Sequence, residues 1–163
     1  MSTQSNTTPP TSDSAEVLFI SQMQGILEEL MRNFETCERY CVSQLGVTVA
    51  LGNAVLAMPT SGPITMNDLS ERTGLAQSTM TRTVDQLVEK GLAQRRTSEE
   101  DRREVHVQLT AQGSEVQQAL ESSREQVIEV VRGQIPAGEH AAAIAVLSRV
   151  SEAFHCAAKD CCS

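Results

Sequence analysis

Aromatic side chains are almost missing from this chain: its 163 residues include no Trp, one Tyr and three Phe. A core without rings has to be filled by Leu, Val, Ile, Met and Ala, which suits helix packed on helix. Long apolar runs are missing too. No stretch reaches the roughly 18 residues that a membrane-crossing helix needs, so no membrane partner is expected. Residues 1–13 are polar and rich in Ser and Thr, with neither a basic start nor an apolar segment. They read as a disordered arm rather than an export signal, which places the chain in the cytoplasm. Cys-x-x-Cys pairs, glycine-rich phosphate loops and clustered acid–base sets are all absent, which argues against an enzyme and against any required cofactor.

Positive charge is also in short supply. Thirteen Lys and Arg face 21 Asp and Glu, for a formal net charge of −8. Taken alone, that disfavours a nucleic-acid partner, because DNA rewards neutralisation of its phosphates. The charge is unevenly placed, however. Arg82, Lys90, Arg95, Arg96, Arg102 and Arg103 fall in one short window, whereas Glu28, Glu29, Glu35, Glu38, Glu115, Glu121, Glu125, Glu129 and Glu139 lie outside it. A basic face on an acidic body suits a DNA binder that releases random sequence readily.

Apolar residues at Val17, Ile20, Met23, Leu27, Leu30, Met31 and Phe34 recur at three-and-four spacing, one stripe of a long amphipathic helix capped by Asp13 or Ser14. A second helix is expected over 43–58, apolar on most sides and hence central, stopped by Pro59 and the Thr60-Ser61-Gly62-Pro63 cluster. A short helix capped by Thr65 or Asn67 follows, then a tight turn at Thr73-Gly74-Leu75, then a helix opened by Gln77 or Ser78 and closed by Lys90-Gly91. Residues 92–97 and 104–109 alternate like strands around the charged segment 98–103. Thr110 caps a further helix ending near 133–136, and a last one starts near Ala137.

A three-residue turn containing Gly between two short helices marks a helix-turn-helix. The second helix presents Gln77, Ser78, Thr79, Thr81 and Arg82, small polar and basic groups able to reach phosphates and base edges in a major groove. The hairpin tip places Arg102 and Arg103 where a wing enters a minor groove, with Asp101 able to orient one guanidinium. Each signal has a bland reading as an ordinary helix turn or a solvated arginine pair; their order along the chain is far more specific.

The stretch LSERTGLAQSTMTRTVDQLVEKGLAQRR followed by EEDRREVHVQLTAQG resembles the MarR family of winged helix-turn-helix regulators. The motifs cover roughly residues 64–113, and the helix order fits from about 14 to 158. The resemblance implies a mainly α fold of six helices with a small β-hairpin wing. It implies a homodimer joined through its first and last two helices, with recognition helix and wing reading a pseudo-palindromic operator in double-stranded DNA. Ligands of the family act at the junction between the dimerisation and DNA-binding lobes. The chain then divides into an arm (1–13), a dimerisation helix and link (14–42), a DNA-binding domain (43–109) and C-terminal dimerisation helices (110–163).

All five cysteines lie outside the reading module. Cys37 and Cys41 are four apart, so in a helix they share one face with Cβ atoms about 5–6 Å apart. Cys156, Cys161 and Cys162 cluster at the C-terminus. In a cytoplasmic chain these are reduced thiols rather than disulfides. Thiolate-rich sites select soft ions. Trivalent antimony or arsenic (antimonite, arsenite) bound by Cys37, Cys41 and one C-terminal thiol is the leading inducer, with zinc or cuprous copper behind; His140 and His155 would favour zinc. Two other readings stay open: the cysteines as small buried hydrophobes beside an organic ligand, and thiol oxidation by peroxide. The expected function is a ligand-responsive repressor, and the expected rival is a winged-helix interaction module without DNA binding.

Overall fold

The computed structural model describes residues 12–97 and 105–161. The chain runs α1 (Ser12–Gln44), α2 (Val49–Ala57), β1 (Ile64–Thr65), α3 (Met66–Thr73), α4 (Gln77–Glu89), β2 (Ala93–Thr97), β3 (Val105–Leu109), α5 (Ala111–Gln134), a 3₁₀ turn (Ala137–Glu139) and α6 (His140–Cys161). The fold is mainly α, with six helices and a small antiparallel sheet in the order β1-β3-β2. The expected hairpin pairs Arg95 with Val107 and Ala93 with Leu109. The sequence pattern did not reveal its third member, β1, which pairs Ile64 with Val107 and is two residues long.

The first helix is longer than its apolar stripe implied, and the second is shorter. Leu45 continues the spacing, so the start of the second helix was expected at 43, yet α1 extends to Gln44 and α2 opens only at Val49. The reason is local. Gly46 takes the left-handed φ of 67°. There the Val47 N–H reaches back to the Val42 carbonyl at 3.2 Å and the Gly46 N–H to the Ser43 carbonyl at 3.1 Å. This six-to-one plus five-to-two bonding is the Schellman stop, and Val42 and Val47 bury their side chains beside it. Thr48 then caps α2, its Oγ1 accepting from the Leu51 N–H at 3.3 Å. The same glycine stop ends α3 at Gly74 and α4 at Gly91, where the Leu92 N–H donates to the Leu87 carbonyl at 2.8 Å.

Every buried apolar side chain among the described residues lies between Val42 and Leu120. Leu51, Val55, Leu69, Met80, Val84, Leu87 and Val107 are fully buried at its centre. This is the core of the reading module alone. The outer helices keep their apolar residues exposed in the single chain: Phe19, Ile26, Leu30 and Phe34 on α1, Ile128 and Val131 on α5, Ile144, Leu147 and Phe154 on α6. Among the described residues of α6 none is fully buried, and its main contacts are with the turn that precedes it.

Two features lock α5 onto the module. The buried Gln117 donates its amide to the carbonyls of Val55 at 2.9 Å and Met58 at 2.8 Å, satisfying the exposed end of α2. Thr110 caps α5 by accepting from the Gly113 N–H at 3.1 Å, and its hydroxyl donates to the Gly91 carbonyl at 2.6 Å. Gly113 itself is packed so closely that a Cβ there would lie 1.9 Å from the Leu92 carbonyl oxygen. That oxygen belongs to backbone and already accepts from the Thr110 N–H at 3.0 Å, so it cannot give way. Gly113→Ala is therefore expected to cost about 1–3 kcal/mol by overpacking. Thermal melting should register roughly 2–4 °C per kcal/mol, and an unchanged Tm would overturn the close-contact account.

Candidate nucleic-acid interface and ligand cavity

α4 buries Met80, Thr83, Val84 and Leu87 and turns its opposite face outward. Ser78, Arg82 and Asp85 lie at helical spacing on that outward face, with Thr81 and Thr79 on its flanks. Gln77, Ser78, Thr79, Thr81 and Arg82 are all exposed. The structure thus brings the five helix residues singled out from the sequence onto one accessible end of one helix. Their hydrogen-bonding capacity is partly committed. The Thr81 hydroxyl donates to the Gln77 carbonyl at 2.9 Å, leaving its oxygen as an acceptor. Gln77 donates its amide to Asn67 Oδ1 on α3, which orients the side chain at the mouth of a cleft bounded by Thr65, Met66, Ser78, Thr81 and Val105.

The wing is tied to α4 by an ion pair that sequence reasoning missed. Arg95 on β2 contacts Asp85 Oδ1 at 2.6 Å and reaches the Thr81 carbonyl at 3.4 Å. Asp85 would otherwise repel phosphate from the middle of the outward face; Arg95 neutralises it. Nothing in the spacing of Asp85 and Arg95 signals this pair, because it depends on how β2 returns along α4. Both partners are substantially solvent-accessible, so the pair's worth lies in position rather than in stability. The wing arginines Arg102 and Arg103, with Asp101, lie outside the described residues.

The second site is a cavity of about 290 Å³ wedged between α1, α2 and α5. Phe34, Val42, Leu56, Leu120, Val127 and Ile128 give it an apolar wall, and Cys37 and Cys41 open onto it from α1. Both cysteines fall inside α1, so the condition for their sharing a face is met. Ser123 of α5 lines the same space beside them, its hydroxyl donating to the Ala119 carbonyl at 2.9 Å. Burial, followed by the neighbouring Cys37, pushes the Cys41 thiol above the ordinary cysteine value. One polar group guards the rim: Arg124 of α5 donates to Asn53 Oδ1 of α2 at 3.0 Å and to Glu38 Oε1 of α1 at 3.3 Å. A single guanidinium thereby ties together the three helices that enclose the space. Close packing builds the cavity's inner end, since a Cβ on Gly52 would come within 2.9 Å of Val42 Cγ1.

The other candidate ligands are not gathered here. Cys156 is exposed on α6, Cys161 is the last residue of that helix, and Cys162 lies outside the described residues. His140 is engaged with the Ile135 carbonyl at 2.9 Å. Among the described residues of one chain, no three His, Cys, Asp or Glu side chains converge as a metal site.

The MarR family profile matches residues 59–105, from the start of the helix-turn-helix region into the wing. An uncharacterized HTH-type transcriptional regulator of Bacillus subtilis (strain 168), YdgJ, is 30% identical over 139 residues, covering 85% of this chain and 79% of the relative. The chain belongs to the MarR family. It is accordingly a DNA-binding transcriptional regulator with the winged-helix fold. Solved structures share that fold. A MarR family transcription regulator, SP03579, superposes with a TM-score of 0.79 at 19% identity, covering 91% of this chain and 99% of that one. Streptococcus pneumoniae FabT, solved in complex with DNA, superposes with a TM-score of 0.75 at 19% identity, over 83% of this chain and 97% of its own.

Two measurements follow for this MarR-family protein. Arg82→Ala should weaken binding to a duplex carrying the protein's own promoter by about 1–3 kcal/mol, as expected for loss of one base-reading side chain, with Tm unchanged because Arg82 is exposed; fluorescence anisotropy beside a melting curve checks both. The raised Cys41 thiol has a smaller thiolate fraction than a free cysteine near pH 8. Iodoacetamide should therefore label Cys41 more slowly than a cysteine peptide, with the gap closing as pH rises. Labelling at the peptide's rate across the whole range would contradict the half-buried setting.

Proposed function

We propose that the protein is a homodimeric cytoplasmic repressor that holds a pseudo-palindromic operator and lets go when a soft metal or metalloid ion engages Cys37 and Cys41. Trivalent antimony or arsenic is the preferred inducer, ahead of zinc and cuprous copper. The observation that carries this reading is the position of the two thiols. They face a cavity enclosed by the helix that enters the reading module (α2) and two long helices whose apolar stripes face outward. An occupant that draws α1 and α5 into a new spacing has to move α2, and with it α3 and α4.

The exposed stripes of α1, α5 and α6 fit a second copy of the chain, which would close over them and set the distance between two recognition helices. Half-sites lie about one turn of DNA apart, roughly 34–36 Å, so a modest change in that distance spoils simultaneous contact. The ligand acts only through its preference for the released arrangement over the DNA-bound one. A third thiolate, needed to fill the pyramid around an unsubstituted trivalent ion, would come from Cys156, Cys161 or Cys162, from the same chain or its partner. The raised Cys41 thiol weighs against peroxide sensing at that residue, because reactive sensor cysteines are low-pKa thiolates.

The test is operator release under thiol-free reducing conditions, titrating antimonite, arsenite, zinc, cuprous copper and peroxide. Antimonite or arsenite should weaken operator binding at least about tenfold, or 1.4 kcal/mol. Cys37→Ser and Cys41→Ser should each abolish that response while leaving ligand-free binding intact. Retention of the full response in the double serine variant sinks the thiol-sensor reading. Absence of binding to the protein's own promoter at low ionic strength sinks the repressor reading.

A further inference from the structure

The thiol pair and the cavity beside it are matched to a ligand with two kinds of surface. Cys37 and Cys41 stand one turn apart on one face of α1 and line the same cavity, with the roughly 5–6 Å Cβ spacing of an i, i+4 pair, a span that one arsenic atom can bridge. No third His, Cys, Asp or Glu joins them among the described residues. Behind them lie about 290 Å³ walled by Phe34, Leu56, Val127 and Ile128, space that a bare ion leaves unused.

An unsubstituted trivalent arsenic has three exchangeable valences and calls for three thiolates. An arsenic carrying one carbon group has two, and it brings an apolar substituent that gains from leaving water, by about 25 cal/mol per Å² buried. We propose that this site takes mono-organo trivalent arsenicals, aryl- or alkyl-arsonous acids, held as a cyclic dithioarsenite by Cys37 and Cys41 with the carbon substituent in the apolar cavity. The inference rests on the reading of these cysteines as a soft-ligand site and names the ligand class. The chemistry is a condensation: R–As(OH)₂ and two Cys–SH give R–As(S–Cys)₂ and two waters. Two As–O bonds break and two As–S bonds form, each thiol proton leaves with a hydroxyl, and neither arsenic nor sulfur changes oxidation state. The Arg124–Glu38–Asn53 cluster at the rim links the three helices that the substituent would press apart.

The test uses the full chain with a phosphine reductant, titrated with arsenite, methylarsonous acid and phenylarsonous acid, read by calorimetry and by intact mass. Phenylarsonous acid should bind one per chain and at least about tenfold tighter than arsenite, with methylarsonous acid between them. The Cys156→Ser/Cys161→Ser/Cys162→Ser variant should bind phenylarsonous acid like the wild type yet lose arsenite, and Cys37→Ser or Cys41→Ser should lose both. Leu56→Trp, which fills the cavity, should erase the preference for phenyl; the ligand series on wild-type protein stands independently if that variant misfolds. Equal affinity for arsenite and phenylarsonous acid, or loss of phenylarsonous binding in the tail variant, overturns the organo-substituent assignment while leaving the thiol sensor in place. Failure of wild-type protein to bind any of the three overturns both.

Discussion

The packing of one nine-residue helix joins the two halves of this molecule. α2 (Val49–Ala57) buries Leu51, Gly52, Ala54 and Val55 and is packed against α1, α3, α4 and α5. It is too short to persist on its own, since isolated helices of that length are marginal in water. Its existence depends on neighbours, on Thr48 at one end and on borrowed donors at the other. Gln117 serves the carbonyls of Val55 and Met58, and Arg72 serves that of Ala57 at 3.1 Å. A helix held so completely by its surroundings moves when they move.

The rest of the architecture sorts around that element. The reading module has its own buried core, whereas the long helices present apolar stripes with nothing over them in the single chain. The cavity beside Cys37 and Cys41 lies at the boundary, with one wall from each region. The negative charge sorts in the same way: it lies mainly in the outer helices, whereas residues 43–109 carry seven Lys and Arg against eight Asp and Glu and are close to neutral.

What could be read from the residues, and what could not, follows physical lines. The helix-turn-helix was legible because its punctuation is chemical: a Thr65 cap, Gly74 at a left-handed turn and Gly91 after Lys90 are each local requirements of the backbone. The end of α1 was not, because Leu45 keeps the apolar spacing through a stop that only Gly46 and its backward hydrogen bonds announce. β1 escaped because two residues carry no periodicity. At the candidate sites, the exposed end of α4 and the Cys37–Cys41 spacing came from helical geometry alone. The Asp85–Arg95 pair, the Asn67–Gln77 bond and the apolar chamber behind the cysteines came from tertiary return of the chain, which no local window contains.

Gln117 has one property that its hydrogen bonds alone do not convey. Its amide carries no charge and no titratable proton, and it works in a spot sealed from solvent ions. The clasp between α5 and the end of α2 is thus indifferent to acidity and to brine, however strongly the grip on DNA responds to salt. Whatever shifts that joint has to do so through packing and shape rather than through charge on the clasp itself.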